Sequence, residues 1–172
     1  MLFETKRLRI DEAEIADIPT VIAIESHPEN RDFVWIGTEE MHRAEIENDI
    51  NLLLLFHEKT DGSVKGCALI ERDFHSHLFE IRRMAITDKG NGYGREALKG
   101  LLRYAFEQTD ANRVFWDVYP DNTVGIALYE SLGMHRDGVL RQNYLSERGY
   151  LDQIIYSMLR SEYEERKLEF GE

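Results

Sequence analysis

The chain has 172 residues, 42% of them hydrophobic, with 33 acidic side chains against 21 basic ones and a formal charge of −12. That length suits one domain with an adequate core, and the single cysteine, Cys67, excludes an intramolecular disulfide framework and favours a reducing, cytoplasmic setting. Acidity argues against nucleic acid as the main partner, the start carries no signal-peptide pattern, no apolar run is long enough to span a bilayer, and the six histidines show no metal-ligand spacing, so no nucleic acid, membrane or metal is expected.

Charged and apolar residues alternate over residues 6–10, which predicts a first strand. A helix is predicted over 13–26 with Ile15, Ile18, Ile22 and Ala23 on one face, Pro19 marking its start or a kink. A second helix over 39–48 has Thr38 as its cap, with Met41 where a capping box would have Glu. Segments 52–57, 64–71 and 77–87 read as an antiparallel meander, turned first at Asp61-Gly62 and then by the polar stretch 72–76. Ala97, Leu98, Leu101, Leu102 and Ala105 recur at helical spacing over 94–108, the clearest amphipathic helix. A strand over 113–118, a short helix over 122–131 ended by Gly133, and strands over 134–140 and 150–159 complete the pattern. From Arg160 the chain reads as a solvated helix or frayed end. The fold class is therefore α+β, with a mixed, mostly antiparallel central sheet flanked by helices. Residues 1–160 are expected to form a single domain and 161–172 a charged tail.

The most informative stretch is residues 84–95, Met-Ala-Ile-Thr-Asp-Lys-Gly-Asn-Gly-Tyr-Gly-Arg. A β-rich segment ends, a glycine-dense loop follows, and the strongest helix begins at once. Glycine admits φ > 0 and lets a ligand approach backbone N–H groups. A helix start adds unpaired donors and the positive end of the macrodipole. Together they predict an anion site for a phosphate or pyrophosphate, with Lys89 and Arg95 at its edges. The spacing of Gly90, Gly92 and Gly94 is not the dinucleotide fingerprint, and no Gly-Lys-Ser/Thr marks a Walker loop. On these residues alone, a tight connection whose glycines serve only backbone geometry stays open.

Residues 89–94 resemble the acetyl-CoA-binding loop of the GNAT superfamily of N-acetyltransferases, Gln/Arg-x-x-Gly-x-Gly/Ala. Gly92 and Gly94 match, while Lys89 departs from Gln/Arg but keeps a donor. Asn122 and the run from Ala127 through Leu128, Tyr129, Gly133 and Met134 are similar to the family's later motif, loosely at its front and closely from Leu128 onward. The likeness spans residues 52–159, and 133–141 with 148–159 resemble the branch of ribosomal-protein, polyamine and aminoglycoside acetyltransferases.

The resemblance implies a GNAT-like sheet, acetyl-CoA as co-substrate and direct attack of a primary amine on the thioester. It implies a pyrophosphate cradle at Lys89, Gly90, Asn91, Gly92, Tyr93, Gly94 and Arg95. Main-chain groups of Met84, Ala85 and Ile86 are the implied pantetheine contacts, joined by Asn122, which reads equally as a helix N-cap. Tyr129 is implied as general acid at the departing sulfur and Glu80 as general base. As residues, the first also reads as a buried aromatic and the second as an exposed strand carboxylate paired with Arg82 or Arg72. Glu25, Glu39, Glu40 and Asp117 are undivided candidates for the acceptor side, Phe33 and Trp35 for shaping it or for the core, and Cys67 reads as a buried structural thiol. The expected acceptor is a small cationic amine or a peptide N-terminus, with a homodimer left open. A non-catalytic acyl-CoA-binding or sensing domain is the alternative, against which Tyr129 stands; a nucleotide-phosphate module is a third reading.

Overall fold

A computed structural model describes residues 1–171. Its helices are α1 (Ile18–Glu25), α2 (Glu39–Ile46), α3 (Tyr93–Gln108), α4 (Thr123–Ser131), α5 (Arg160–Glu165) and α6 (Lys167–Phe170). Its strands are β1 (Phe3–Glu4), β2 (Leu8–Glu12), β3 (Asn51–Glu58), β4 (Val64–Asp73), β5 (Leu78–Ile86), β6 (Arg113–Val118), β7 (His135–Ser146) and β8 (Gly149–Leu159). They form one sheet in the order β1-β2-β3-β4-β5-β6-β8-β7. Each neighbouring pair is antiparallel except β5–β6, which the α3 crossover makes parallel. This is the mixed, mostly antiparallel α+β architecture that the residue pattern predicts.

The predicted apolar face of α3, Ala97 through Ala105, is buried in the larger of two clusters, together with Leu54, Ile70, Phe79 and Ile81 of the sheet. The smaller cluster lies on the opposite face, where Val21 and Ile24 of α1 meet Leu53, Leu55, Cys67, Leu69 and Ala85. Burial pushes the Cys67 thiol up to about 12, so it stays protonated and inert.

Several boundaries differ from expectation for local reasons. The first strand is a tight hairpin: Thr5 N–H donates to Leu8 C=O at 2.8 Å and its hydroxyl accepts from Leu8 N–H at 3.0 Å, so Lys6 and Arg7 lie in the turn between β1 and β2. The first helix begins as a 3₁₀ turn (Ile15–Asp17) before α1, with Pro19 in its first turn, and that start sets its phase. Its buried face is Ile18, Val21, Ile24 and Glu25, whereas Ile15 is exposed. Thr38 caps α2 as predicted, accepting from Met41 N–H at 3.2 Å, but the helix stops at Ile46. The charged segment after Arg160 is helical but not solvated on every side: Tyr163 is wholly buried, stacked on Phe106 at 4.9 Å and against Phe170 at 5.2 Å.

One irregularity organises the sheet around the later site. In the β4–β5 register Leu69 faces Arg83 but Ile70 faces Ile81, so Arg82 is an extra residue. Such a bulge sharpens the local twist and re-aims side chains. Arg83 therefore shares the face of Leu69, beneath α1 and α2, where it enters a buried ionic network. Its Nε lies 3.1 Å from Glu25 Oε1, and its NH2 bonds Glu45 at 2.7 Å. His42 joins the same two carboxylates, Nε2 to Glu25 at 3.0 Å and Nδ1 to Glu45 at 2.8 Å. Two cations against two anions leave the quartet neutral, which is what its burial requires.

With a carboxylate on each ring nitrogen, His42 has both positioned to donate. Burial favours its neutral form, but the bonds to Glu25 and Glu45 prevail and raise its pKa to about 9. A raised folded-state pKa gives stability that is complete below the unfolded value near 6.5 and disappears as pH rises through about 9. Wild type should therefore exceed His42→Gln in urea-unfolding free energy most at pH 6, with the gap narrowing steadily to pH 10. A gap constant across that range would mean that His42 is neutral in the folded protein.

Candidate active site

The β5–β6 register consists of Leu78–Arg113, Phe79–Val114 and Glu80–Phe115, although both strands continue. Beyond Glu80 the strands part, and a cleft of about 1000 Å³ opens between them. Met84, Ala85 and Ile86 form one lip, with backbone edges toward β6 that no ladder partner takes. Part of this edge is already in use, since buried Asn30 donates to Ile86 C=O at 3.2 Å.

At one end of the cleft the chain leaves β5 and enters α3. Gly90 and Gly92 take left-handed backbone conformations, φ 83° and 81°, that side-chain-bearing residues rarely adopt. Gly92 is the N-cap of α3, so the first-turn N–H groups converge where the helix dipole is positive. Gly94 is informative for the opposite reason. Its φ is ordinary, and an added Cβ would meet only Ile86 Cγ1 at 3.5 Å and Leu128 Cδ2 at 4.0 Å, so packing does not demand glycine there. Open space beside amide donors suits the close approach of an anionic group.

The predicted loop residues divide. Lys89, Gly90, Gly92, Tyr93, Gly94 and Arg95 all line the cleft. Asn91 is outside that lining, with its side chain on Asp88 at 2.7 Å and its carbonyl accepting from Arg7 at 3.0 Å. The Tyr93 side chain turns away to bond Glu58, beneath the Arg7 guanidinium at 4.3 Å. Lys89 reaches the Glu29 carbonyl and Arg95 the Ser131 hydroxyl, so each cation also ties the loop to a neighbour.

Across the cleft lies α4. Asn122 Oδ1 accepts from Gly125 N–H at 2.9 Å, a true N-cap, while the residue also lines the cleft. Tyr129 packs edge-on to Trp116 at 5.0 Å and tilted against Tyr156 at 5.8 Å. Burial, reinforced by the charge of Asp117, raises its phenol above the ordinary value, so the hydroxyl keeps its proton through neutral pH.

The carboxylates lie on the other face of the parted strands. Glu80 sits beside Phe115 in register, and alternation along β6 gives Asp117 the same side as Phe115. Burial raises the pKa of both. Arg82 opposes the shift at Glu80 from 3.8 Å, and Gln153 opposes it at Asp117 through a 2.7 Å bond. Of the four acidic residues left undivided by sequence, Asp117 alone lines the cleft. Glu25 is locked in the buried quartet, and Glu39 and Glu40 are exposed on α2. Phe33 and Trp35 are half-exposed at the rim, and Trp35 lies over the Arg83 guanidinium at 4.9 Å. Sequence reasoning gave Asp117 no priority and did not single out Trp116 or Gln153; the period-two alternation of residues 113–118 was the available signal for the first two.

A family model described as an acetyltransferase (GNAT) domain matches residues 7–135. The chain is 25% identical over 171 residues to the uncharacterized N-acetyltransferase p20 of Bacillus licheniformis, covering 92% of this chain and 96% of that one. It is 24% identical over 171 residues to the uncharacterized N-acetyltransferase YnaD of Bacillus subtilis, covering 95% and 99%. Among solved structures, a GNAT-family acetyltransferase from Bacillus anthracis superposes with a TM-score of 0.76 at 22% identity, over 92% of this chain and 98% of that one. A variant of the spermidine N-acetyltransferase SpeG from Vibrio cholerae superposes at 0.81 with 17% identity, over 94% and 98%. At those identities the two structures bear on the fold, which they share. With the glycine loop, parted strands and α4 tyrosine in place, the family match over residues 7–135 makes this chain a member of the GNAT acetyltransferases.

Proposed function

We propose that the protein moves an acetyl group from acetyl-CoA to a primary amine by direct attack on the thioester. One observation carries this reading: the cleft between the parted strands runs from the glycine loop and N-terminus of α3 to a protonated phenol on one face and two raised carboxyls on the other. The α3 amides at Gly92–Arg95, with Lys89, would hold the pyrophosphate. Backbone groups of Met84, Ala85 and Ile86, with Asn122, would hold the pantetheine arm. Gly90 gives the loop its turn, and Asn91 acts through that loop by its bond to Arg7.

The thioester supplies the acetyl carbon and a thiolate leaving group. Glu80 takes a proton from the incoming ammonium, directly or through a water, which frees the nitrogen lone pair for attack. As the C–S bond breaks, the Tyr129 O–H donates a hydrogen bond to the departing sulfur, and the second proton, shed by the acylated nitrogen, leaves through water, which protonates the thiolate. Glu71, Glu80 and Asp117, offset in part by Arg82 at 3.3 Å from Glu71 and 3.8 Å from Glu80, leave the acceptor end an anionic excess that favours a cation. A small polyamine-like amine fits that end, in keeping with the activity named for SpeG, and a peptide N-terminus is the other acceptor to test. Pure acyl-CoA binding would require neither Tyr129 nor the paired carboxyls.

Free-thiol release from acetyl-CoA across polyamines, amino sugars, amino acids and short peptides tests the reading, and no release with any amine would overturn it. With the preferred amine, Tyr129→Phe should lower kcat about 100-fold and leave CoA affinity within about twofold; lost affinity with intact turnover would remove the general acid. Gly94→Val should abolish the thermal stabilisation by CoA, which is worth about 2.7 kcal/mol at a hundredfold excess over Kd. Retained stabilisation would place the pyrophosphate elsewhere. Because a base works above its pKa, kcat/KM should rise with pH through the raised Glu80 carboxyl, and Glu80→Gln should erase that limb. Persistence of the limb in that variant and its loss in Asp117→Asn would transfer the role to Asp117.

A further inference from the structure

The wall of the cleft beyond Asp117 comes from β7 and β8, and a chain of hydrogen bonds runs through it to that carboxylate. In register Asp117 faces Ile155, so Gln153, two residues away on β8, shares its side of the sheet. Gln153 Nε2 donates to Asp117 Oδ2 at 2.7 Å, and Gln153 Oε1 accepts from Asn143 Nδ2 at 2.5 Å. An ionised carboxylate only accepts, so Gln153 must turn its nitrogen to Asp117 and its oxygen to Asn143. Asn143 reaches this position through an irregularity in β7. Leu140 pairs with Gln153 and Tyr144 with Leu151, which leaves residues 141–143 facing Asp152 alone. Within that bulge Gln142 has φ 51°, left-handed without being glycine, and its N–H donates to Asp152 Oδ1 at 2.7 Å. The bulge also sets the place of Tyr144, which stacks on Tyr119 at 5.7 Å, and both rings line the cleft with Asp117 and Gln153. The two raised carboxyls are therefore not equivalent. Asp117 is clamped through one oxygen, while its Oδ1 bonds no other described residue and is not an enclosed atom, so it opens on the cleft. Glu80 accepts no hydrogen bond among the described residues and has only Arg82 beside it at 3.8 Å.

We infer that Gln153, oriented by Asn143, is a positioning residue that holds the Asp117 carboxylate toward the cleft as the anchor for the acceptor's ammonium group, leaving Glu80 to take the proton. The inference rests on the acetyl-transfer reading above and gives its two carboxyls separate roles. A donated hydrogen bond favours the ionised carboxylate, which suits an anchor; a carboxylate without one accepts a proton more readily, which suits a base. One N–H of the amine stays on Asp117 while Glu80 removes another proton, so the nitrogen lone pair is freed in a fixed direction. The titratable and charged groups that act on Asp117 or feel its charge are Glu80 and Arg82 of β5 and the phenols of Tyr119 and Tyr129. Gln153 is the neutral donor among them.

With the amine most reactive in the thiol-release panel, Gln153→Leu should raise KM for the amine about tenfold and hold kcat and KM for acetyl-CoA within about twofold. Asn143→Asp, an exposed substitution that sets an acceptor where Gln153 needs a donor, should raise the same KM about threefold and carries the test if Gln153→Leu does not fold. In carbon-13 spectra of the side-chain carboxyls, Asp117→Asn identifies the Asp117 signal. Its titration midpoint should lie about one pH unit higher in Gln153→Leu than in wild type, because loss of the donor disfavours the ionised form. A wild-type KM for the amine in the variants, or an unmoved midpoint, overturns the role of Gln153. A fall in kcat at unchanged KM would place the residue in the chemical step and overturn the anchor. Loss of the rising limb of kcat/KM in Asp117→Asn, with its survival in Glu80→Gln, would make Asp117 the base and end the division of roles. No thiol release from the wild type with any amine would sink the acetyl-transfer reading itself, an outcome distinct from an active enzyme whose Gln153→Leu variant keeps its KM.

Discussion

The parting of β5 from β6 is the constraint on which the rest depends. A parallel pair of this kind saturates its backbone only while its ladder lasts, and here the ladder ends at Glu80 and Phe115. The remaining edges are polar and need partners. A fold that left them facing a packed core would be penalised at each group; this one turns them toward a cleft. The bulge at Arg82 and the crossover through α3 both favour that opening. The first increases the twist of β5, and the second brings the glycine loop to the mouth of the gap.

Parting also separates chemistry by face. Residues that alternate along one strand end on opposite sides of the gap, so a phenol and an indole stand on the α3 side while two carboxyls stand on the α1 and α2 side. Burial raises the pKa of both carboxyls, with Glu71 and Asp117 adding to the rise at Glu80, which makes each a stronger base than an exposed carboxylate. The Glu25–His42–Glu45–Arg83 quartet supports the same side. Arg83 lies under Trp35 at the rim, so the wall of the proposed acceptor end rests on a matched set of buried ions. An apolar replacement would cost less to bury, but it would not fix the orientation of α2 by directional bonds.

Legibility in the sequence followed the range of the interactions. The strand over 113–118 was read with its observed bounds because period-two alternation needs no tertiary knowledge. The α3 face was legible for the same reason at helical spacing. The face of α1 was misread because Pro19 fixes where the helix starts, and a shift in start rotates every later side chain. The tail is a helix, one of the two readings its charge allowed, but its packing was hidden because Glu162, Glu164, Glu165, Arg166 and Lys167 surround the buried Tyr163 in a charged context. The glycine loop was visible as a motif, whereas the contrast between Gly92 and Gly94, one needed by the backbone and the other not, depends on φ and on neighbouring atoms. Asp117 could not be separated from Glu25, Glu39 and Glu40 until strand register gave it a face and the packing of α1 and α2 placed the other three away from the cleft.

Acid strengths bear on how the leaving group is handled in the proposed reaction. A thiol has a pKa near 8.5 and a phenol near 10, and burial moves Tyr129 further up. Complete proton transfer from that phenol to a free thiolate is therefore uphill by at least about 2 kcal/mol. A developing thiolate held in the cleft is poorly solvated, however, and a fixed hydrogen bond lowers its energy without moving the proton all the way. Tyr129 then works chiefly by donating to sulfur while charge builds, with full protonation of the thiolate left to solvent after the acetyl group has moved. On that account the cleft needs donors that are already oriented more than it needs a strong acid, and Tyr129, held by its packing against Trp116 and Tyr156, meets that need.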